Sequence, residues 1–263
     1  MEIQAYLVKC ITNMHAGSGD ASYGIIDKLV QRDPVTQRPC IYASSLKGAL
    51  REHFEIKWKD TMPEKVDAIF GKEGKNTETG EFRFLGADLV ALPVRCNFEQ
   101  YVLGISKRNA VFINDKSYML LGKDVFKMDN IRDENQIVHQ SQHPGYEVFA
   151  EDFKLAKKDF SKVLNVSTHD PLDRKYAIFK DDDFTTISQN LPVIARNCIE
   201  DGTSANLWYE EVVPHQTVFI TYIFESGDYK RDFDEVLEND IIQMGANATI
   251  GYGLCKFYKI ELS

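Results

Sequence analysis

The spacing of hydrophobic positions predicts several β-strands along the chain. Apolar and β-branched residues alternate over 2–12 and again over 254–262, as they do in a half-buried strand. Residues 82–95 predict two strand pieces that meet at a turn at Gly86. A shorter strand or extended segment is predicted at 25–32, just after a Gly-rich loop.

The spacing of hydrophobic positions also predicts three helices. Apolar residues recur at helical spacing over 44–59, with Ser44 or Ser45 as the expected N-cap, and again over 231–244. A shorter helix is predicted over 184–191, capped by one of the acidic residues before it. This cap accounts for those carboxylates without a metal site. They are Asp181, Asp182 and Asp183.

Residues 192–222 predict a strand, a turn at Asp201 and Gly202, a second strand, and another strand after Pro214. Residues 101–118 have a more strand-like pattern. The order of strand, helix and strands, followed by strands, helix and strand, indicates an α+β fold of ferredoxin-like type.

Composition and charge limit the possible functions. The chain has 43% hydrophobic and 27% charged residues, which is ordinary for a globular protein. No apolar run approaches the roughly 18–20 residues of a transmembrane helix. The N-terminus lacks a signal-peptide pattern. We therefore expect a cytoplasmic protein with no membrane partner. The net charge of −9 argues against a free-standing, non-specific nucleic-acid binder, so any RNA hypothesis needs a local basic site.

Several kinds of active site are excluded by their missing motifs. The five cysteines are widely spaced and form no CxxC pair, which argues against a structural zinc site and a disulfide framework. The six histidines show neither HxH nor HExxH spacing, which argues against a zinc hydrolase. No P-loop or Rossmann fingerprint is present.

Four groups of segments, in this order, resemble one protein family. The first comprises HAGSG, GIIDKLVQRD and YASSLKGALRE, the second is ADLVALPVR, the third is ARNCIEDGTSANLWYEEVVP, and the fourth is MGANATIGYGLCK. Together they resemble the RAMP superfamily and, within it, the backbone subunit of type III-B CRISPR effector complexes. The type III-A backbone subunit shares the first and fourth groups, whereas LPVR and LWYEEVVP favour type III-B. The resemblance runs from residue 5 to 257 and is poor from about 97 to 176.

This resemblance implies a single domain over 1–263. Its expected parts are a ferredoxin-like or RRM-like palm, a β-hairpin thumb at 193–213, and irregular insertions, with 97–176 as the poorly matched insertion region. It also implies stacking of several copies into a filament along a guide crRNA, together with other type III effector subunits. Each thumb would distort the duplex of guide and target RNA, which is then cut by a metal-dependent reaction.

The resemblance identifies Asp27 as the residue at the cleavage position. A carboxylate can bind Mg²⁺ or Mn²⁺, or accept the 2′-OH proton of RNA. The alternative is a structural Asp27 that caps a turn or pairs with Lys28 or Arg32. His15 lies beside the same loop and is either a general acid or phosphate ligand, or a structural residue bound to the loop backbone.

Two segments are candidates for binding the guide RNA. The start of the first helix offers serine hydroxyls, backbone N–H groups and two basic side chains one turn apart. The alternative is an amphipathic helix with a solvated basic edge. The C-terminal glycine loop allows close approach of a backbone, although most such loops are simple turns. The candidates are Ser44, Ser45, Lys47, Arg51, Gly245, Asn247, Thr249, Gly251 and Gly253.

The thumb candidate contains Ile199, Leu207 and Trp208, which we expect to wedge between bases. The alternative is an ordinary hairpin that packs these side chains into the core. Glu210 and Glu211 are candidates for placing a metal or a proton, or else belong to a solvated strand edge.

Three functions remain in competition. The first is a guide-binding filament subunit that is also a metal-dependent endoribonuclease toward paired target RNA. The second is a backbone subunit that binds RNA without cutting it. The third is a ribonuclease of the same superfamily that processes precursor crRNA, although such enzymes usually lack the SSLKGALR helix and the LWYEE segment.

Overall fold

The structure is a computed structural model that describes residues 1–19, 24–59, 61–72, 78–138, 145–158, 163–166, 176–201 and 203–263. The helices are α1 (Ala43–Trp58), α2 (Pro63–Phe70), α3 (Lys107–Leu121), α4 (Asp181–Gln189) and α5 (Lys230–Asn239). The strands are β1 (Glu2–Cys10), β2 (Cys40–Ile41), β3 (Gly71–Lys72), β4 (Glu78–Thr79), β5 (Arg83–Phe84), β6 (Ala87–Val94), β7 (Val102–Ser106), β8 (Gln136–Val138), β9 (Val148–Ala150), β10 (Phe153–Lys158), β11 (Tyr176–Phe179), β12 (Val193–Glu200), β13 (Thr203–Glu211), β14 (Val218–Glu225), β15 (Ile241–Gln243) and β16 (Leu254–Ile260).

A large mixed sheet forms the centre of the fold, which confirms the α+β class. Its strands follow the order β15-β16-β1-β14-β6-β7-β11-β8-β10-β9, with β2 on β6 and β5 on β14. The first and last of these strands lie side by side near one edge of the sheet, because β1 pairs antiparallel with both β14 and β16. Strands β12 and β13 form a separate two-stranded sheet outside it.

The sheet is covered on both faces, as the alternation along β1 illustrates. Tyr6 and Val8 belong to one hydrophobic cluster, while Ala5 and Leu7 belong to the other. The apolar stripes of α1, α2 and α5 pack into the first cluster, where Phe54 stacks on Phe233 with ring centroids 5.0 Å apart. Helix α3 packs into the second cluster.

Several element predictions are confirmed with small changes. The pieces β5 and β6 flank the turn at Gly86, where an added Cβ would lie 2.8 Å from the carbonyl oxygen of Ile41. The strands of 192–222 all form, although Gly202 of the predicted turn lies outside the described residues. Residues 20–23 of the Gly-rich loop before Asp27 also lie outside them. Residues 25–32 form isolated bridges rather than a strand: Lys28 bridges to Glu210, Val30 to Gly17 and Arg32 to Pro39.

The prediction of a strand over 101–118 was wrong beyond Ser106. The Ser106 hydroxyl caps α3 by accepting a hydrogen bond from the backbone N–H of Asn109. The buried face of α3 carries Asn109, Asn114 and Ser117, and these polar residues conceal the helical spacing of its apolar positions. Asn114 is satisfied there because it accepts from the N–H of Val125 and donates to the carbonyl of Phe126.

Three predicted helix ends were also wrong. Tyr42 occupies the N-cap of α1, so Ser44 and Ser45 lie in its first turn. Lys180 occupies the N-cap of α4, whose first turn contains the three aspartates, where they complement the helix dipole. Helix α5 ends at Asn239, because the next residues form β15 against β16.

The middle region contributes to the main sheet. Its described strands β7, β8, β9, β10 and β11 extend the sheet beyond β6, with β7 and β11 pairing in parallel. Over the ranges that the structure covers, no helix is long and apolar enough to cross a membrane.

Candidate active site at the base of the hairpin

Asp27 lies on the surface against the base of the β12–β13 hairpin. Its carboxylate oxygen Oδ2 accepts a hydrogen bond from the backbone N–H of Tyr209 at 2.7 Å. Its own N–H donates to the carbonyl of Tyr209 at 3.0 Å. The two bonds fix an exposed carboxylate to a strand of the hairpin. The alternative in which Asp27 pairs with Lys28 or Arg32 is not what the structure contains, because these cations pair with Glu210 and Glu211.

Glu210 stands at the centre of a group that we call the hairpin-base cluster: Glu210, Lys28, Arg196, Trp208 and Asn247. Glu210 is 1% exposed. Its Oε1 accepts from Lys28 Nζ at 2.9 Å and from the Trp208 indole N–H at 2.7 Å, and its Oε2 accepts from Asn247 at 2.9 Å. Arg196 Nη1 lies 3.5 Å from Oε2. The carboxylate therefore joins the hairpin, the segment after the Gly-rich loop and the C-terminal glycine loop.

The surrounding hydrogen-bond donors stabilise the ionised form of Glu210. Burial raises the pKa of Glu210, but the hydrogen bonds from Trp208, Lys28 and Asn247 outweigh burial and lower the pKa to about 2. A carboxylate with so low a pKa is a weak proton acceptor near neutral pH. The geometry thus favours a role for Glu210 in holding cations over a role in moving a proton.

Glu211 and His15 form a buried, hydrogen-bonded pair next to the segment that carries Asp27. Glu211 accepts from Arg32 at 2.6 Å and from the N–H of Val30 at 3.1 Å. His15 Nδ1 donates to the carbonyl oxygen of Glu211 at 2.7 Å. Both side chains are buried, so neither forms a solvated strand edge. They attach the segment of Asp27 to the hairpin.

Two large apolar side chains are exposed on the hairpin away from its base. Ile199 is 67% exposed and Leu207 is 54% exposed, so these two side chains do not pack into the core. Trp208 differs from them, because its ring is held at the base, where Lys28 Nζ lies 5.4 Å and Arg196 Cζ 5.8 Å from the ring centroid. Ile199 and Leu207 are therefore accessible to a ligand, whereas the Trp208 ring is held against the two cations.

The C-terminal glycine loop has one packed part and one open part. Gly245 and Gly253 have positive φ, and an added Cβ would lie 2.5 Å and 1.9 Å from backbone oxygens of His15 and Met244. Gly251 also has a positive φ, but an added Cβ would meet nothing within 4 Å. Thr249 is exposed beside it. The open part is therefore the part that a ligand can approach.

The start of α1 provides a weaker basic site than its sequence suggested. Arg51 is occupied internally, since it donates to Glu55 at 2.6 Å and to the carbonyl of Gly71 at 2.9 Å. The Ser45 hydroxyl accepts from Gln31 at 2.7 Å. Ser44 is exposed and Lys47 is half-buried, which leaves these two for a phosphate.

Sequence reasoning missed the role of Arg196 and the true partner of Lys28. The ion pair of Lys28 with Glu210 spans 182 positions of the chain, and no local pattern reports a contact over that distance. In the part of the chain that the structure describes, no three His, Cys, Asp or Glu side chains come together as a metal site. This includes the three aspartates at the start of α4.

The chain resembles known proteins in both sequence and structure. It is 28% identical to the CRISPR system Cmr endoribonuclease Cmr4 of Pyrococcus furiosus, over 97% of this chain and 95% of that relative. A chain in a cryo-EM structure of the type III-B Cmr-beta bound to cognate target RNA superposes with a TM-score of 0.81 at 21% identity, covering 98% of this chain and 97% of the other. A crystal structure of oligomeric Cmr4 from Pyrococcus furiosus gives a TM-score of 0.69 at 20% identity, with both chains covered completely. The model of the RAMP superfamily matches residues 7–256, and the chain therefore belongs to the RAMP superfamily.

Proposed function

We propose that this chain is a backbone subunit of a type III-B CRISPR ribonucleoprotein and an endoribonuclease within it. It binds guide crRNA as a filament of stacked copies, together with other type III effector subunits, and cuts the complementary target RNA. Its place of action is the cytoplasm. The observation that carries the proposal is Asp27, an exposed carboxylate fixed by two backbone hydrogen bonds to the base of a projecting hairpin.

The hairpin supports an interaction with paired RNA. Protein side chains recognise RNA largely through its shape and by stacking on bases that have been displaced from a helix. Ile199 and Leu207 are large, apolar and exposed on the two-stranded sheet, with Ile199 near its tip and Leu207 opposite Asn197. Their insertion into the duplex would distort the target strand beside Asp27.

The distortion supplies the geometry for cutting. When the 2′-OH is in line with the adjacent phosphate, its oxygen forms a bond to phosphorus while the bond to the 5′ oxygen breaks. The products are a 2′,3′-cyclic phosphate and a 5′-hydroxyl. Asp27 takes the 2′ proton through Oδ1, which has no hydrogen bond to the described residues, and the leaving oxygen gains a proton from water.

A divalent cation, Mg²⁺ or Mn²⁺, fits this arrangement. Mg²⁺ is commonly held by one or two carboxylates together with waters and substrate phosphates, and Asp27 presents one exposed carboxylate. When bound, the ion would neutralise charge on the phosphate. His15 and Glu211 would support the site from below by holding the backbone, and Glu210 would do so by holding cations.

Guide RNA would bind at the exposed parts of the two candidate segments. The start of α1 offers Ser44, Lys47 and free backbone N–H groups of the first helical turn. The glycine loop offers Thr249 and Gly251, where the backbone is open. Ser45, Arg51, Gly245 and Gly253 would shape these segments from within, because each is already packed or hydrogen-bonded.

Asp27→Asn tests the proposal in the assembled complex with its guide RNA. The amide oxygen of Asn can still accept from Tyr209, so we expect normal assembly and target binding. We expect cutting to fall by at least about 100-fold, the usual contribution of a general base. Asp115→Asn is the matched control, since Asp115 is an exposed aspartate on α3.

If Asp27→Asn cuts target RNA as fast as the wild type does, Asp27 takes no part in the reaction. Failure of the wild-type complex to cut would support a backbone subunit that only binds RNA. Cutting of precursor crRNA by the lone chain would support the processing ribonuclease.

A further inference from the structure

We propose that Lys28 and Arg196 form a phosphate clamp that contacts the target-RNA phosphate on which Asp27 acts, with Glu210 holding both cations in place. This inference rests on the proposed function and adds two residues to it. Its evidence is the geometry of the hairpin-base cluster.

The cluster carries more positive charge than its internal contacts require. Lys28 and Arg196 contribute two positive charges, whereas among the described residues Glu210 is the one carboxylate that both of them approach, at 2.9 Å and 3.5 Å. Asn247 and Trp208 are neutral donors to the same carboxylate. The cluster itself thus has a net charge of +1, which offsets the negative charge of the adjoining Asp27 and reduces the repulsion of a phosphate there.

Lys28 is the more open of the two cations, whereas Arg196 reaches solvent only in part and its Nη1 is buried. The side chain of Lys28 is 53% exposed and that of Arg196 is 23% exposed, while that of Glu210 is 1% exposed. A negative group arriving from solvent therefore meets the cations before it meets the carboxylate. The rings of Trp208 and Tyr252 lie within 6 Å of Arg196 Cζ, at 5.8 Å and 5.9 Å, and keep the guanidinium in position.

The cluster adjoins Asp27 through two connections. Lys28 follows Asp27 in the chain, which places their Cα atoms about 3.8 Å apart. Asp27 is also bonded to Tyr209, the residue between Trp208 and Glu210. A phosphate close enough for Asp27 to act on its neighbouring 2′-OH therefore lies within reach of the Lys28 ammonium.

The clamp would stabilise the transition state of cutting. Negative charge builds up on the non-bridging oxygens while the 2′ oxygen bonds to phosphorus and the 5′ oxygen leaves. Fixed cations beside that charge act without reorganising during the reaction. The low pKa of Glu210 supports this role, because the anchor stays ionised across the range in which RNA is cut.

The test uses the assembled complex with guide RNA and a complementary target. Lys28→Gln and Arg196→Gln each remove one cation, while Lys28→Arg and Arg196→Lys retain it. Arg95→Gln is the matched control, because Arg95 also pairs with a glutamate, Glu151 at 2.8 Å, outside the hairpin. Single-turnover cutting and the salt dependence of target binding are measured for each variant, with thermal unfolding as the check on folding.

We expect each Gln variant to cut about 100-fold more slowly, the usual cost of one lost transition-state donor. We also expect the slope of log affinity against log salt to fall by about 0.7–0.9, which corresponds to one lost phosphate contact. The charge-keeping variants are expected to cut within about tenfold of the wild type.

Wild-type cutting and an unchanged salt slope in folded Lys28→Gln would overturn the clamp. Lys28→Gln tests the clamp even if Arg196→Gln fails to fold, because Lys28 is the more exposed of the two residues and its substitution disturbs the fold less. If Asp27→Asn is inactive in the same assay, the proposed function survives and only the clamp fails. If Asp27→Asn cuts normally, the proposed function fails, and the clamp that rests on it fails as well.

Discussion

A buried group of titratable side chains on the central sheet predicts an unusual dependence of stability on pH. The Tyr6 hydroxyl lies 2.8 Å from Glu225 Oε1 and is also hydrogen-bonded to Asp234. A tyrosine hydroxyl has one proton to donate, so it cannot serve two carboxylates at once. One of the two acids must therefore carry a proton of its own and donate it to the tyrosine oxygen.

The surroundings assign this proton to Glu225. Asp234 accepts from Lys259 at 2.6 Å, which stabilises its negative charge. Glu225 is buried, and burial together with the charges of Asp234 and Glu2 raises its pKa to about 7, despite the opposing effects of Tyr6 and Lys259. Nearby Lys230 is paired with Glu2 at 3.4 Å.

The magnitude follows from the difference between folded and unfolded states. The pKa of Glu225 rises from 4.5 to about 7, and each unit corresponds to about 1.4 kcal/mol, so the effect is about 3 kcal/mol. Because the folded state binds the proton more tightly, this stabilisation is complete below pH 4.5. It is lost as the pH rises through about 7.

Glu225→Gln is the perturbation that tests this reasoning. The amide resembles the protonated carboxyl but cannot ionise. We expect the variant to match the wild type near pH 4.5 and to become more stable above it, by up to about 3 kcal/mol at pH 8. The assay is urea unfolding at several pH values between 4.5 and 8, comparing the free energies of unfolding of the two proteins.

Glu235→Gln provides the control, because Glu235 is an exposed glutamate on the same helix as Asp234. Its stability is expected to follow the wild type at every pH. The reasoning would be refuted if the difference between Glu225→Gln and the wild type stayed constant over this pH range, since Glu225 would then ionise alike in both states.

Two further predictions concern the loop and the hairpin. Gly253→Ala is expected to destabilise the fold by roughly 2 kcal/mol or more, as overpacking does, because the added Cβ would lie 1.9 Å from a backbone oxygen. Gly251→Ala is expected to cost about 1 kcal/mol, because its Cβ meets no neighbour and only the positive φ is unfavourable. Equal losses in thermal unfolding would contradict this difference. Ile199→Ser and Leu207→Ser should change the free energy of unfolding by less than about 0.5 kcal/mol, because both side chains are exposed, yet should weaken target cutting. A large loss of stability, or unimpaired cutting, would argue against the wedge.

Local patterns in the sequence were enough to predict the elements that bury one face. Helix α1 was predicted within a residue at each end, because its apolar stripe has uninterrupted helical spacing. The hairpin strands and the strand after Pro214 were predicted in order. Helix α3 was not, since its buried face contains the amide groups of Asn109 and Asn114, which are satisfied by the backbone of distant segments.

The sequence by itself determined the fold class, the family and the candidate position of Asp27, because each depends on local patterns and on their order along the chain. Only the tertiary structure decided which charges meet. It brought Lys28, Arg196 and Asn247 to one buried carboxylate and occupied Arg51 within the fold. The physical reason is that a side chain's spacing reports the face it occupies, whereas its partner depends on how distant segments are joined around the sheet.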